Sequence, residues 1–275
     1  MKDYPAVDVR AAVTDRLLVA LDDFAPVAIE EYDQGLRVFF ATTEARNAAL
    51  ETISSHFEAR ALDVSDQDWA RRSQESQPPV VVGRIAIVPP PGESAGAGSV
   101  PRLSGLDPLV IFIAPSMGFG TGHHATTRLC LAALQGLDLS ARTVLDIGTG
   151  SGVLAIAAVR LGAARAMGVD VDPDALQSAR ENLALNPDVG HVTFEQSDVS
   201  AADLPAADIV TANLTGTLLV RSATRLRAAT RPGGSLILSG LMTSERDDVC
   251  RAFDPAHVVW ERHEDEWVGL AMKNP

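Results

Sequence analysis

From residue 109 onward, short apolar runs alternate with amphipathic stretches. Residues 110–113, 143–147, 166–170, 192–195, 208–212 and 235–239 have the length and β-branched character of buried strands. Between them, residues 127–134, 151–161, 173–185 and 217–229 carry apolar positions at helical spacing, and Arg231-Pro232-Gly233-Gly234 reads as a turn. This alternation predicts an α/β fold with an open, mostly parallel sheet and helices on both faces. The earlier chain is patterned differently. Residues 7–23 have helical spacing, Val27–Glu30 and Leu36–Phe40 flank an Asp33-Gln34-Gly35 turn as a hairpin, and a helix at 44–57 precedes a strand at 59–64. The result is a small α+β unit without a cluster of catalytic residue types, suited to recognising a partner or shielding the rest.

Three segments follow: an α+β domain at 1–80, a linker at 81–108 and a ligand-binding domain at 109–275. The bridge region holds Trp69, the strand-like run Val80–Val88 and Pro89-Pro90-Pro91, and Gly92–Ser104 is rich in Gly, Ser, Ala and Pro, the composition of a flexible surface loop.

Composition narrows the class. With 275 residues, 46% of them apolar, the chain can bury a sizeable core. No apolar run approaches the roughly 20 residues that span a bilayer, and the charged N-terminus has no hydrophobic signal region, so a cytoplasmic protein without membrane attachment is expected. Cys130 and Cys250 are the only cysteines and read as buried thiols, which leaves no disulfide framework and no Cys-based zinc site. The formal net charge of −13 argues against a nucleic-acid groove, which needs clustered Lys and Arg, and suits a basic protein substrate better.

The chemistry concentrates in Asp146-Ile147-Gly148-Thr149-Gly150-Ser151-Gly152, placed between a strand and a helix, with Asp170 lying 22 residues beyond Gly148. Glycine admits backbone angles that a Cβ forbids and lets a ligand approach the peptide groups. A dinucleotide fingerprint needs glycines at its first, third and sixth positions. Here the sixth position is Val153, and the third glycine comes one residue early. The pattern instead resembles motif I of the S-adenosylmethionine-dependent methyltransferases, in which an acid ending the next strand, here Asp170, takes the ribose hydroxyls. Asp172 is placed to cap a helix with Pro173 at its first position. Asp198 reads either as a contact to the adenine amine or as a loop Asx turn. The Met117–Arg128 segment sets three glycines ahead of His123-His124 and Thr126-Thr127, and reads as a loop over the cofactor with one of the threonines offering a hydroxyl. A metal at the two histidines is not expected, because adjacent side chains diverge and no His-x-x-x-His spacing occurs. Asn213 ends a strand and offers an acceptor for a target amine.

Three segments together, Gly118–Leu129, Leu145–Ile156 and Ala212-Asn213-Leu214, closely resemble the ribosomal protein L11 methyltransferases, over roughly residues 108–271 and including Glu266-Trp267. The resemblance implies a seven-stranded, mostly parallel Rossmann-like methyltransferase sheet with a small ferredoxin-like N-terminal domain that binds the substrate protein. It implies S-adenosylmethionine as cofactor, with contacts at Thr127, Gly148, Asp170 and Asn213, and with Gly150 and the Gly120-Thr121-Gly122-His123 loop nearby. The implied partner is ribosomal protein L11, without direct nucleic-acid binding. Asn213 and the carbonyl of Leu214 are the expected amine acceptors, and His123 is a fallback base.

A lysine methyltransferase for another protein, such as the electron-transfer flavoprotein β-subunit, would show the same motifs. A small-molecule methyltransferase would tolerate removal of residues 1–80, and a non-catalytic S-adenosylmethionine-binding regulator is a further alternative. A nicotinamide dehydrogenase is disfavoured by the glycine spacing and the lack of a Tyr-x-x-x-Lys pair. A nucleic-acid methyltransferase is disfavoured because Asn213-Leu214-Thr215-Gly216 lacks an aromatic on which a flipped base would stack.

Overall fold

The computed structural model describes residues 3–10, 24, 28–32, 35–55, 57–65, 79–90, 108–114, 123–201 and 203–275. Two compact units divide the chain, Met1–Ser76 and Gln77–Pro275.

The first unit is an antiparallel sheet of β1 (Asp3–Arg10), β2 (Ala28–Tyr32), β3 (Gly35–Phe39) and β4 (Glu58–Ser65), in the order β2-β3-β1-β4. That is the strand order of the split βαβ, ferredoxin-like fold. Between β3 and β4 runs α1 (Thr43–Ile53), whose N-cap Thr42 accepts a hydrogen bond from the Ala45 amide at 3.2 Å. Ala49 and Ile53 of this helix pack on Val7, Val9, Leu36 and Val38.

Residues 7–10, expected as the start of a helix, are instead strand. Val7 and Val9 face the core at a period of two, and the intervening Asp8 lies directly between Arg37 on β3 and Arg60 on β4. The cross-strand cations satisfy a buried polar position that one-dimensional periodicity does not explain. The remainder of that expected helix, residues 11–23, lies outside the described residues, as do Trp69 and the Gly92–Ser104 segment.

In the second unit, β5 (Val80–Val82) and β6 (Ile85–Val88) form a hairpin through Gly83, at φ +56°, and β6 pairs in parallel with β7 (Leu109–Phe112). These residues form a separate three-stranded sheet, which takes 110–113 out of the main sheet where the alternation had placed them.

The main sheet holds β8 (Thr143–Ile147), β9 (Arg165–Asp170), β10 (Val192–Gln196), β11 (Ala207–Asn213), β12 (Thr230–Met242), β13 (His257–Glu264) and β14 (Trp267–Lys273). Their order is β10-β9-β8-β11-β12-β14-β13, with β14 antiparallel to both its neighbours and the other pairs parallel. The helices are α2 (Ala125–Gln135), α3 (Val153–Arg160), α4 (Pro173–Ala184), α5 (Gly216–Ala229) and α6 (Arg246–Ala252). Successive strand residues point to opposite faces. Val144, Ile209 and Ile237 join a core with α2, α3 and α4, whereas Leu145, Val210 and Leu236 join one with α5 and α6. Residues 231–234, read as a separate turn, form a bulge within β12: the pairing passes from Ala207–Thr230 to Ile209–Ser235. Successive strands are added in one direction from β8 to β10 and in the other from β11 onward, so the strand order reverses between β8 and β11, and in open α/β sheets ligands bind at that point, beyond the strand carboxyl ends.

Candidate active site

β8 delivers Asp146 and Ile147 to the switch point, and the chain then turns through Gly148, Gly150 and Gly152 at φ +68°, +52° and +80°. The Gly148 and Thr149 amides both donate to the Val169 carbonyl, at 2.9 and 3.0 Å, so the loop hangs from the end of β9. Two of the glycines have structural reasons. A Cβ on Gly152 would lie 2.8 Å from the Phe194 ring and 3.1 Å from the Ala179 methyl, so that glycine permits close packing of α3 on the sheet. A Cβ on Gly148 would lie 2.6 Å from Leu214 Cδ2, so the glycine loop and the leucine after β11 are close neighbours.

Asp146 braces this loop from beneath. It is 1% exposed, its Oδ2 accepts from Thr149 Oγ1 at 2.6 Å, and its Oδ1 accepts from Thr211 Oγ1 on β11 at 2.5 Å. Burial pushes its pKa up to about 6 against the pull of the two hydroxyls, and the charge of Asp170 adds to the rise. Thr211 and Asp146 were not singled out from the sequence as a pair. They are 65 residues apart, and only the pairing of β8 with β11 brings them together.

Asp170 ends β9. Its Oδ2 accepts from the Gly150 amide at 2.9 Å and its Oδ1 from the Asp172 amide at 3.1 Å. Each oxygen keeps a further lone pair for a hydroxyl donor. Asp172 caps α4 through the Asp174 amide at 2.9 Å, with Pro173 following, as its sequence context predicts. Asp198 forms an Asx turn: its Oδ1 accepts from the Ser200 hydroxyl at 2.6 Å and amide at 2.8 Å, and these bonds hold its carboxyl below its ordinary range.

On the other side of the crevice, Asn213 closes β11. Its Nδ2 donates to Thr127 Oγ1 at 3.5 Å, a long bond that directs the amide oxygen away from α2. Thr127 is buried in the first turn of α2, and Leu214 is held by its amide donating to the Ser239 carbonyl at 3.0 Å. His124 caps α2, accepting from the Thr126 amide at 3.3 Å, and its ring meets Trp267 edge-on at 5.0 Å. Burial, then the charge of Arg128, lower its pKa. Arg128 grips the His123 carbonyl and Glu264 together. Gly120, Thr121 and Gly122 lie outside the described residues. Cys130 is buried and its thiol pKa is driven up by that burial, whereas Cys250, expected to be buried, is only half-buried within α6.

Two further residues escaped the sequence reading, Asn182 and Asn186, buried at 2% and 0%. Polar residues one helical turn apart on an otherwise amphipathic helix were the available signal, and their partners lie on the loop after β8 and at the end of β7.

The donors and acceptors fit S-adenosylmethionine: a left-handed glycine loop open to close backbone approach, a carboxylate at the next strand end for hydroxyls, and an amide at the end of β11. The sequence profile of the family described as ribosomal protein L11 methyltransferase (PrmA) matches residues 22–275. A ribosomal protein L11 methyltransferase of Deinococcus radiodurans is 38% identical over 253 residues, covering 90% of this chain and 86% of that one. Another, from Geotalea uraniireducens, is 33% identical over 284 residues, covering 93% and 87%. A solved ribosomal protein L11 methylase from Lactobacillus delbrueckii subsp. bulgaricus superimposes with a TM-score of 0.61 at 25% identity, covering 72% of this chain and 98% of that one. The chain thus belongs to the ribosomal protein L11 methyltransferase family, whose cofactor is S-adenosylmethionine.

Proposed function

We propose that this enzyme methylates amino groups of ribosomal protein L11, on lysine side chains, the α-amine or both, and that it works in the cytoplasm. The observation that carries the chemistry is the placement of Asn213: its amide is turned by Thr127 at the end of β11, and the next residue, Leu214, rests on Gly148 of the cofactor loop. On this reading the amine acceptor stands beside the methyl-donor loop. The names of the relatives support L11 as the substrate. No helix among the described residues is long and apolar enough to cross a membrane. We assign substrate recognition to residues 1–80, connection to 81–108 and catalysis to 109–275.

S-adenosylmethionine supplies, when bound, a methyl group on a positively charged sulfur. The protein's task is then alignment and exclusion of water. A lysine amine has a usual pKa of about 10.4 and attacks only when neutral. Desolvation on docking lowers that value. Asn213 Oδ1 and the Leu214 carbonyl accept the neutral amine's two hydrogens and aim its lone pair across the loop. We assign cofactor contacts to Thr127, Gly148, Gly150, Asp170 and the Gly120–His123 segment, and an adenine contact to Asp198 through the lone pairs that its turn leaves over. Removal of one preorganised hydrogen-bonding group, measured for donors in oxyanion holes, lowers kcat by roughly 10²-fold or more. Asn213→Ala should do the same at saturating cofactor, and full turnover by that variant would refute the role.

The substrate is tested by incubating the protein with radiolabelled S-adenosylmethionine, purified L11 and, separately, whole-cell protein, then locating the label by gel and peptide mass spectrometry. Label on L11 amines is the expected result. Label confined to another protein, or to small molecules, would replace the substrate.

A further inference from the structure

β7 is an outer strand of its sheet. The Leu109 and Ile113 amides donate inward to the Arg84 and Val88 carbonyls of the β5–β6 hairpin, at 2.7 and 3.0 Å. Strand alternation turns the Phe112 and Ala114 amides the other way, and asparagines from α4 and its C-terminal end meet them there. Asn186 Oδ1 accepts from the Phe112 amide at 3.0 Å and its Nδ2 donates to the Phe112 carbonyl at 2.8 Å. Asn182 Oδ1 accepts from the Ala114 amide at 2.9 Å, but its Nδ2 donates elsewhere, to the Ser151 carbonyl at 2.9 Å. The partners fix the amide's orientation, since an N–H faces the oxygen and a C=O faces the nitrogen. Ser151 is the residue between Gly150 and Gly152, and the Gly150 amide is the one that meets Asp170.

We propose that Asn182 is a positioning residue for cofactor binding: its carboxamide holds the Ser151 carbonyl, and with it the left-handed glycine turn, in register with the end of β7. The inference rests on S-adenosylmethionine being the ligand of that turn. A buried carboxamide joining two segments leaves an unsatisfied group on each of them when it is removed. Asn186 is an internal control, because it bonds the same strand and the Asn182 carbonyl without touching the glycine loop.

The test compares Asn182→Ala, Asn182→Asp and Asn186→Ala in the full chain, by calorimetric titration with S-adenosylhomocysteine, thermal unfolding and steady-state kinetics. Loss of one buried hydrogen bond predicts that Asn182→Ala raises the Kd, and the KM for S-adenosylmethionine, about tenfold, with kcat changed less than about threefold. Asn182→Asp keeps the acceptor for Ala114 and loses the donor to Ser151, so it should raise Kd likewise. Asn186→Ala should lower the unfolding temperature with Kd within about twofold of the unaltered protein. Equal loss of thermal stability in both alanine variants, with Kd unchanged, would overturn the proposal. If the Asn182 variants do not fold, amide exchange in the unaltered protein reads the same coupling: S-adenosylhomocysteine should slow exchange at Ala114, and no slowing overturns it. No binding by the unaltered protein would remove the cofactor assignment itself, and this proposal with it.

Discussion

Among the described residues each compact unit buries one aspartate, and the two are satisfied in opposite ways. Asp8 in the first unit is 4% exposed and lies between two guanidiniums, with Arg37 Nε at 2.6 Å and Arg60 Nη2 at 2.9 Å. Asp146 in the second is 1% exposed and has hydroxyls for partners. Burial alone would raise both pKa values. At Asp8 the bonds and charges of Arg37 and Arg60 outweigh burial and bring the pKa below its ordinary 3.8, whereas at Asp146 burial prevails and brings it to about 6. The difference separates a scaffold charge from a site charge. Charge pairing across three strands ties the first sheet together, while Asp146 gives up stability to hold the glycine loop and β11 in one geometry.

The linkage signs are opposite. Asp8 binds its proton less tightly when folded, so its contribution is present above about pH 4 and is lost as acid titrates it through its lower native pKa. Asp146 binds its proton more tightly when folded. Its contribution is therefore complete below its ordinary 3.8 and is lost as pH rises through about 6.

The largest expected effect is at the scaffold charge. Asp8→Asn removes the buried carboxylate charge that Arg37 and Arg60 share, and breaking a buried pair typically costs about 3–5 kcal/mol. Hydrogen exchange should rise in β1, β3 and β4 while S-adenosylhomocysteine affinity is unchanged, and a small stability change would dissolve the contrast. Next is the site glycine. Gly148→Ala places a side chain at φ +68° against Leu214, with a strain of about 1–2 kcal/mol and a comparable loss of cofactor affinity by titration calorimetry. Gly162→Ala, at φ +110° with no atom within 4 Å, should lose stability only.

Asp146→Asn should flatten the pH dependence of the second unit between pH 4 and 6, where the unaltered residue contributes a slope of up to about 1.4 kcal/mol per pH unit. Urea unfolding at several pH values checks this, and an unchanged slope would show that Asp146 does not titrate there. The smallest effect is expected at Thr211→Val, about 1 kcal/mol at pH 7 and less at pH 5, because the lost hydroxyl bonds the ionised carboxylate more strongly than the neutral one.

Much of the second unit was legible from local pattern. The glycine turn, the Asp172-Pro173 cap and the alternation of strands and helices are encoded within a few residues of where they act, and they appear where the spacing puts them. The misreadings arise where partners are distant. Residues 7–10 looked helical because Asp8 interrupts an apolar run, and only β3 and β4 supply its cations. Residues 110–113 have the composition of a central strand but pair with β6, because Asn186 and Asn182 occupy their other edge.

The sequence by itself determined the ligand-loop chemistry and the class of fold, since backbone angles at glycine and the period of apolar positions are local properties. Only the tertiary structure decided how the polar residues around the site pair with one another. Asp146 with Thr211, Asn213 with Thr127, and Asn182 with Ser151 are 65, 86 and 31 residues apart. Buried hydrogen bonds are satisfied across space, and strand order together with helix packing, both invisible to spacing along the chain, brings those partners together.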